Sequence, residues 1–358
     1  MATTTRKRRN AGKRQGAPTI ADVARVAGVS PMTVSRVING EANVRDSTRE
    51  NVNAAIAQLN YAPNTAARML AGAGQMKIAL LYSNPSAGYL SEVLVGSLDQ
   101  ARSSDAQLIV EKCDPGEHEI EVAKHLIKGG IDAIILPSPL CDSQELIAAI
   151  RAEDVPPVLI GSGNPADDID AVCIDEVSAA RTMTRHLLSL GHRRIGFIIG
   201  NPAQSISAQR LEGYLSALEA AGIPRDDALI AQGMFSYRSG LDAAEKLLEA
   251  DDPPTAIFAS NDDMAAATVA MAHRHHLDVP GDLTVCGFDD TTLATAIWPE
   301  LTTIRQPIAD MARAAIELMV GSIRRKRAGE DAQPAHSELE YTLIRRQSDA
   351  APRRRPRG

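Results

Sequence analysis

The 358-residue chain has little of what several functional classes require. Its four cysteines, Cys113, Cys141, Cys173 and Cys286, are scattered without CxxC spacing, which points away from a thiolate metal centre or a disulfide framework. Three of them lie in apolar runs, so reduced, buried thiols are expected. No segment approaches the ~18 apolar residues that span a bilayer, and the first residues lack the apolar stretch of a signal peptide. A cytoplasmic protein that does not engage membranes is expected. The glycines around Ser162, Gly161 and Gly163, lack the third glycine and the following helix of a phosphate-cradling loop. The adjacent acids Asp262/Asp263 and Asp289/Asp290 point in different directions and no activated nucleophile accompanies them. His273, His275 and His276 fall at the end of a predicted helix, where imidazoles meet the carbonyl dipole. No catalytic residue, metal site or cofactor is expected.

Charge, by contrast, is unevenly spread. Residues 1–75 carry eleven Lys or Arg against four Asp or Glu, a balance of +7, while the whole chain stands at −7, leaving −14 for the remainder. A basic end on an acidic body places a polyanion contact at the N-terminus. Arg6, Lys7, Arg8, Arg9, Lys13 and Arg14 form a basic arm over residues 1–17, expected to be disordered and able to add phosphate contacts.

The stretch from Thr19 to Asn51, TIADVARVAGVSPMTVSRVINGEANVRDSTREN, reads as two short helices joined by a glycine-containing turn and followed by a third. Thr19 can cap the first helix, with Asp22 in its first turn, and Gly28 stops it. Ser30 is a favoured N-cap and Pro31 is tolerated at the first helical position, so a second helix is predicted over 31–39. Val34, Val37 and Ile38 form its core face, leaving Met32, Thr33, Ser35, Arg36 and Asn39 exposed. This is a helix-turn-helix pattern with a face suited to a major groove: Arg36 can grip guanine, while Thr33 and Asn39 act mainly on phosphates.

From Met76 onward, β-branched or aliphatic runs alternate with helical patterns. Strands are predicted over 77–82, 107–112, 133–137, 158–161, 171–174, 194–200, 256–259 and 283–287. Helices between them include 92–103, 117–128, 178–190, 208–221, 240–249 and 264–275. Apolar strands each followed by a helix indicate parallel sheets covered on both faces, an open α/β fold in two lobes.

The N-terminal residues resemble the headpiece of the LacI/GalR family of bacterial transcription regulators. The shared pattern is DVA at Asp22 to Ala24, AGVS at Ala27 to Ser30, TVSRVIN at Thr33 to Asn39, Thr48 with Arg49, and LNYAPNTAARMLAG from Leu59 to Gly72. The body is similar too, through LGHRRIGFIIG at Leu190 to Gly200, RLEGYLSAL at Arg210 to Leu218, the ASND segment at Ala259 to Asp262, VCGFDD at Val285 to Asp290 and PELTTIRQP at Pro299 to Pro307. The resemblance implies an all-α helix-turn-helix headpiece over 18–62, a hinge helix and linker over 63–75, and a periplasmic-binding-protein-like α/β effector domain over 76–347. One lobe would hold about 76–174 and 306–333, the other about 175–305 and 336–346. Residues 348–358, with Pro352, Pro356 and four arginines, are expected to be a disordered basic tail.

The same resemblance implies site residues. Thr19, Pro31, Met32, Thr33, Ser35, Arg36, Asn39 and Asn43 would face DNA, joined by Asn64, Ala67 and Leu70 of the hinge, where Leu70 falls on the leucine that wedges into the minor groove. Such a hinge, barely two turns long, is marginal as an isolated helix. Arg210, Asp289, Asn261, Phe235, Tyr89 and Leu90 would hold the effector in the cleft between lobes. The chain departs from the family at Gly161 and Ser162, where many members carry an acid. Implied partners are a pseudo-palindromic operator, a small effector, expected to be a saccharide, and a second copy of the chain in a homodimer without the leucine heptads that make tetramers. The leading expectation is a repressor of a carbohydrate-utilisation operon. The alternatives are a regulator with a purine-type or other non-sugar effector, and a solute-binding transport component.

Overall fold

The computed structural model describes residues 18–38, 44–59, 61, 75–113, 116, 118–330 and 333–353. These fall into two compact units, 1–75 and 76–358. The basic arm, Asn39, Asn43 and the hinge residues Asn64, Ala67 and Leu70 lie outside the described residues.

The first unit is three helices, α1 (Ile20–Ala27), α2 (Pro31–Ile38) and α3 (Asp46–Leu59). Their core is small: Val23 and Ala24 of α1, Val34 and Val37 of α2, Val52 and Ala55 of α3, with Ile20, Val29 and Ile56 packed around them. Gly28 adopts φ 69° at the end of α1, a left-handed conformation that costs glycine little and turns the chain toward α2.

The second unit contains two six-stranded sheets. In chain order it runs β1 (Met76–Tyr82), α4 (Ala87–Ser103), β2 (Ala106–Lys112), α5 (Glu119–Lys128), β3 (Ala133–Pro137), α6 (Gln144–Arg151), β4 (Pro157–Ile160) and β5 (Asp170–Cys173). It continues with α7 (Glu176–Ser189), β6 (Ile195–Ile199), α8 (Ser205–Ala220), β7 (Ile230–Gln232), α9 (Tyr237–Leu248), β8 (Ala256–Ala259), α10 (Asp262–Arg274) and β9 (Thr284–Asp289). The remainder is α11 (Leu293–Ala296), β10 (Thr302–Arg305), α12 (Ile308–Ala328), β11 (His336–Glu338) and β12 (Thr342–Ile344). The sheet orders are β11-β5-β4-β3-β1-β2 and β12-β10-β9-β8-β6-β7. All pairings are parallel except β10 with β12. Every residue of β3, β4 and β8 is buried, as parallel strands covered on both faces require.

The chain passes between the lobes at 173–176, 305–308 and 338–342. The third crossing corrects the expected lobe boundary: His336–Glu338 pairs with β5 of the first sheet, and only β12 belongs to the second. A three-residue edge strand has no apolar run to announce it, and its place is set by the neighbour it pairs with. Strands β7, β10, β11 and β12 and helices α6 and α12 likewise stand beyond the elements expected from the sequence.

The tail expectation also needs correction. Residues 348–353 are packed on the second lobe: Ser348 is fully buried, its Oγ donating to Val285 O (2.6 Å) and accepting from Thr302 N (2.8 Å). Asp349 pairs with His186 at 2.8 Å, Ala350 O meets His192 Nε2 at 2.9 Å, and Arg353 reaches Asp278 at 3.1 Å. A run of small and basic residues is held here by partners distant in sequence. Among the described residues no helix is long and apolar enough to cross a membrane.

Candidate functional site in the headpiece and the inter-lobe cleft

In the headpiece, Ser30 caps α2 by accepting from Thr33 N at 3.1 Å, with the two hydroxyls 2.9 Å apart. Met32 is 67% exposed and Pro31 and Arg36 are exposed, while Thr33 and Ser35 are half-buried. The helix presents Pro31, Met32 and Arg36 on its outer face, with Thr33 and Ser35 at its margin. Thr19 behaves differently. It forms a capping box with Asp22: its hydroxyl donates to the carboxylate at 2.7 Å and its backbone N–H does so at 3.0 Å. Its polar groups are engaged in starting the helix.

In the second unit, the residues at the carboxyl ends of the strands converge on one cleft. It is lined from the first lobe by Asn84, Ser86, Tyr89, Ser138 and Gly161, from the second by Glu176, Gln204, Ile206, Arg210, Phe235, Asn261 and Asp289, and by Gln306 at the second crossing. That is where open α/β sheets collect ligands. Five of the six expected effector residues are in it. Leu90, half-buried, is not among the lining residues, and the pair expected at this point contributes through Tyr89 alone.

Arg210 is the centre of the cleft, with 2% of its surface exposed. Its Nε donates to Glu176 Oε2 at 2.7 Å and Nη2 to Oε1 at 3.2 Å, a two-pronged pair, while Nη1 donates to Ser260 O and lies 3.7 Å from Asp289 Oδ1. The guanidinium carbon sits 3.6 Å from the centre of the Phe288 ring. Burial works to lower Arg210, but the Glu176 and Asp289 carboxylates hold it above its ordinary value. Burial pushes Asp289 well above the carboxylate range, against the opposing pull of Arg210 and a 2.6 Å hydrogen bond from Gln306 Nε2.

Backbone strain collects here. Asp289 has φ 110°, Asp290 φ 58° and Phe235 φ 58°, conformations that non-glycine residues hold only where the surroundings impose them. The Phe235 ring is housed by Gly200, just after β6: a Cβ at that position would stand 2.0 Å from the ring, so the glycine leaves the slot it occupies. Tyr89 is buried in the first turn of α4, its N–H capped by Ser86 Oγ at 3.3 Å, and burial raises its phenol so that it stays protonated. Asn261 departs from its expected part. Its Oδ1 caps α10 through Met264 N (3.0 Å) and its Nδ2 donates to Phe235 O (2.9 Å), so it anchors the aromatic loop.

The two lobes are latched across the cleft. Ser86 Oγ donates to Asp263 at 2.6 Å, Ser138 Oγ to Gln204 at 2.8 Å, and Ser205 Oγ to Asp142 at 2.7 Å, while Gln209 Nε2 donates to Gly163 O at 2.7 Å. The free space left in the cleft is about 20 Å³, room for a single water.

Glu176 and Gln306 were not singled out from the sequence. Glu176 stands three residues after β5, and the strand-end rule that selected Asp289 applies to it equally. Gln306 follows β10, a strand not expected. As for metal, Glu245, Glu249 and His275 bring ligand atoms within 4.8 Å of one another, the one such group among the described residues; they are partly to fully exposed, and Arg274 lies 4.0 Å from Glu245.

A three-helix DNA-reading unit joined to a two-lobed ligand-binding module defines a class: ligand-responsive regulators of transcription. Comparison with known proteins gives the particular family. Residues 19–64 match the family described as bacterial regulatory proteins, lacI family, and 184–348 match the periplasmic binding protein-like domain. Catabolite control protein A of Priestia megaterium is 36% identical over 303 residues, covering 84% of this chain and 91% of that protein. The HTH-type transcriptional repressor PurR of Vibrio atlanticus is 31% identical over 314 residues, 86% of this chain and 92% of that one. Among solved structures, a transcriptional regulator CelR–cellobiose complex shares 32% identity at a TM-score of 0.71, covering 92% of this chain and 99% of that one. A lac repressor dimer bound to operator and an anti-inducer shares 27% identity at a TM-score of 0.69, covering 94% and 100%. The chain belongs to the LacI family of DNA-binding transcriptional regulators, whose members are not enzymes.

Proposed function

We propose that the chain is a homodimeric cytoplasmic repressor of carbohydrate-utilisation genes, reading a pseudo-palindromic operator with α2 and the hinge, and answering to a saccharide held in the inter-lobe cleft. The observation that carries the effector reading is the buried group of Arg210, Glu176 and Asp289 flanked by Phe235 and Tyr89: charged hydrogen-bonding groups beside aromatic surface, as a sugar's hydroxyl edge and apolar face demand. A similar regulator solved with cellobiose supports the same class of ligand. At about 20 Å³ the cleft admits a sugar only once the inter-lobe latches exchange partners. An effector that trades those bonds for its own changes how the lobes meet, and linkage then requires that operator and effector alter each other's affinity by the same factor.

In the headpiece, Arg36, Thr33, Ser35, Met32 and Pro31 contact DNA together with Asn39 and Asn43, and the hinge adds Asn64, Ala67 beside the partner's hinge helix, and Leu70 wedged into the minor groove. Thr19 serves by fixing the start of α1. The test has two arms. Fluorescence anisotropy on short pseudo-palindromes should show selective binding, and Arg36→Ala should lose about 1 to 3 kcal/mol on operator with folding intact; equal losses on operator and random DNA would sink the base-reading role. A thermal-shift panel of saccharides and nucleobases should show stabilisation by saccharides, abolished in Arg210→Ala. Stabilisation by nucleobases alone would replace the sugar with a purine-type effector.

A further inference from the structure

Arg210 is the only Lys, Arg or His among the described residues lining the cleft. A lone buried guanidinium is ordinarily an anchor for carboxylate or phosphate, whose planar oxygens its fork matches. Here that fork is already occupied. Glu176 takes two of its donors at 2.7 and 3.2 Å, Ser260 O takes a third, Asp289 stands 3.7 Å away and Phe288 covers one face. Glu176 is itself fixed: it is the first residue of α7, behind the Asp175 cap, where the helix dipole favours negative charge.

We propose that Glu176 commits the cleft to uncharged, polyhydroxylated ligands by cancelling the charge of Arg210, an inference that rests on the cleft being the effector site. The Glu176 carboxylate alone matches the charge of the guanidinium, so the site has no positive charge left to offset the cost of bringing an anion out of water. The remaining polar lining, including the amides of Asn84, Gln204 and Gln306 and the hydroxyls of Ser86 and Ser138, both donates and accepts, as ligand hydroxyls do. Specificity is thus set partly by what the site rejects. A uronate or a sugar phosphate is repelled by the buried Glu176 carboxylate, and a neutral sugar of the same shape is not.

The test uses the full-length protein, thermal shift and calorimetry, with glucose, cellobiose, glucuronate and glucose 6-phosphate as probes. Neutral sugars should stabilise the wild type and the two anions should not. Glu176→Gln keeps the shape and one acceptor while releasing the charge, and should bind glucuronate or glucose 6-phosphate about tenfold or more tighter than the wild type. Glu176→Asp, which restores the charge, should reject them. Wild type binding an anionic probe as tightly as its neutral parent overturns the proposal, and this arm stands even if a variant misfolds. So does a Glu176→Gln protein, shown folded by circular dichroism, that gains no anion binding, or an Asp variant that gains as much as the Gln variant. If Glu176→Gln gains anions while no neutral sugar stabilises the wild type, the role of Glu176 stands and the saccharide reading is the one overturned.

Discussion

Asp262 shows what a single buried side chain does to the second lobe. It has no exposed surface, and its carboxylate accepts from Thr291 N at 2.7 Å, Thr291 Oγ1 at 3.2 Å and Thr303 Oγ1 at 2.7 Å, tying the start of α10 to β10 and to the loop after Asp289. Burial pushes it from 3.8 up to about 7, only partly opposed by those donors. Between these values the folded chain keeps a proton that the unfolded chain has released, so this residue makes stability fall as pH rises through that window. Melting of the wild type at about pH 5 and about pH 8 should show that fall, and Asp262→Asn, which cannot titrate, should flatten it. A variant with the same pH slope as the wild type would assign the slope to another group.

At the level of elements, the short pieces at the end of the chain do work out of proportion to their length. Strand β12 pairs with β10, and residues 348–350 then reach across to Val285, Thr302, His186 and His192. Truncation before Ser348 leaves the N–H groups of Val285 and Thr302, both bonded to Ser348, without those partners. At about 1 kcal/mol per lost bond, the deletion should cost about 3 kcal/mol or more. Thermal melting should fall by roughly 6 °C or more, whereas deleting only residues 354–358 should leave it unchanged. Equal melting of both truncations would show that the packed segment contributes nothing. Nothing in SDAAPRRRPRG announces this: small residues and arginines are equally at home in solution, and only the positions of Val285, Thr302 and His186 turn them into partners.

For the whole molecule, the proposed homodimer would rest on apolar surface left uncovered on the first lobe. Val95 and Leu98 on α4 are 48% and 55% exposed, and Val110 on the adjacent edge strand β2 is 37% exposed. Residues of this kind grouped on one lobe fit a self-complementary two-fold contact. Sedimentation should give twice the 38.2 kDa chain mass. Replacing Val95 and Leu98 together by Lys should give the single-chain mass, with operator affinity falling because each headpiece reads one half-site. A double variant that stays dimeric would move the interface elsewhere, and a wild-type monomer with tight operator binding would refute the dimer.

The local chemistry of the chain determined a good deal unaided. Thr19, Asp22, Gly28, Ser30 and Pro31 specify where two helices start and stop through hydrogen bonds within a few residues, so the helix-turn-helix is legible. Apolar runs such as AIILP and AIFA announce buried parallel strands, and the residues that follow them fall in the cleft because strand ends do. Tertiary structure decided the rest. The pairing of Arg210 with Glu176, the bond from Asn261 to Phe235, the absence of Leu90 from the cleft, the lobe that claims His336–Glu338 and the packing of Ser348 all depend on groups tens to hundreds of residues apart. Hydrogen bonds, ion pairs and burial act over a few ångströms of space. Where those ångströms are not also neighbouring residues along the chain, the sequence pattern carries no trace of them.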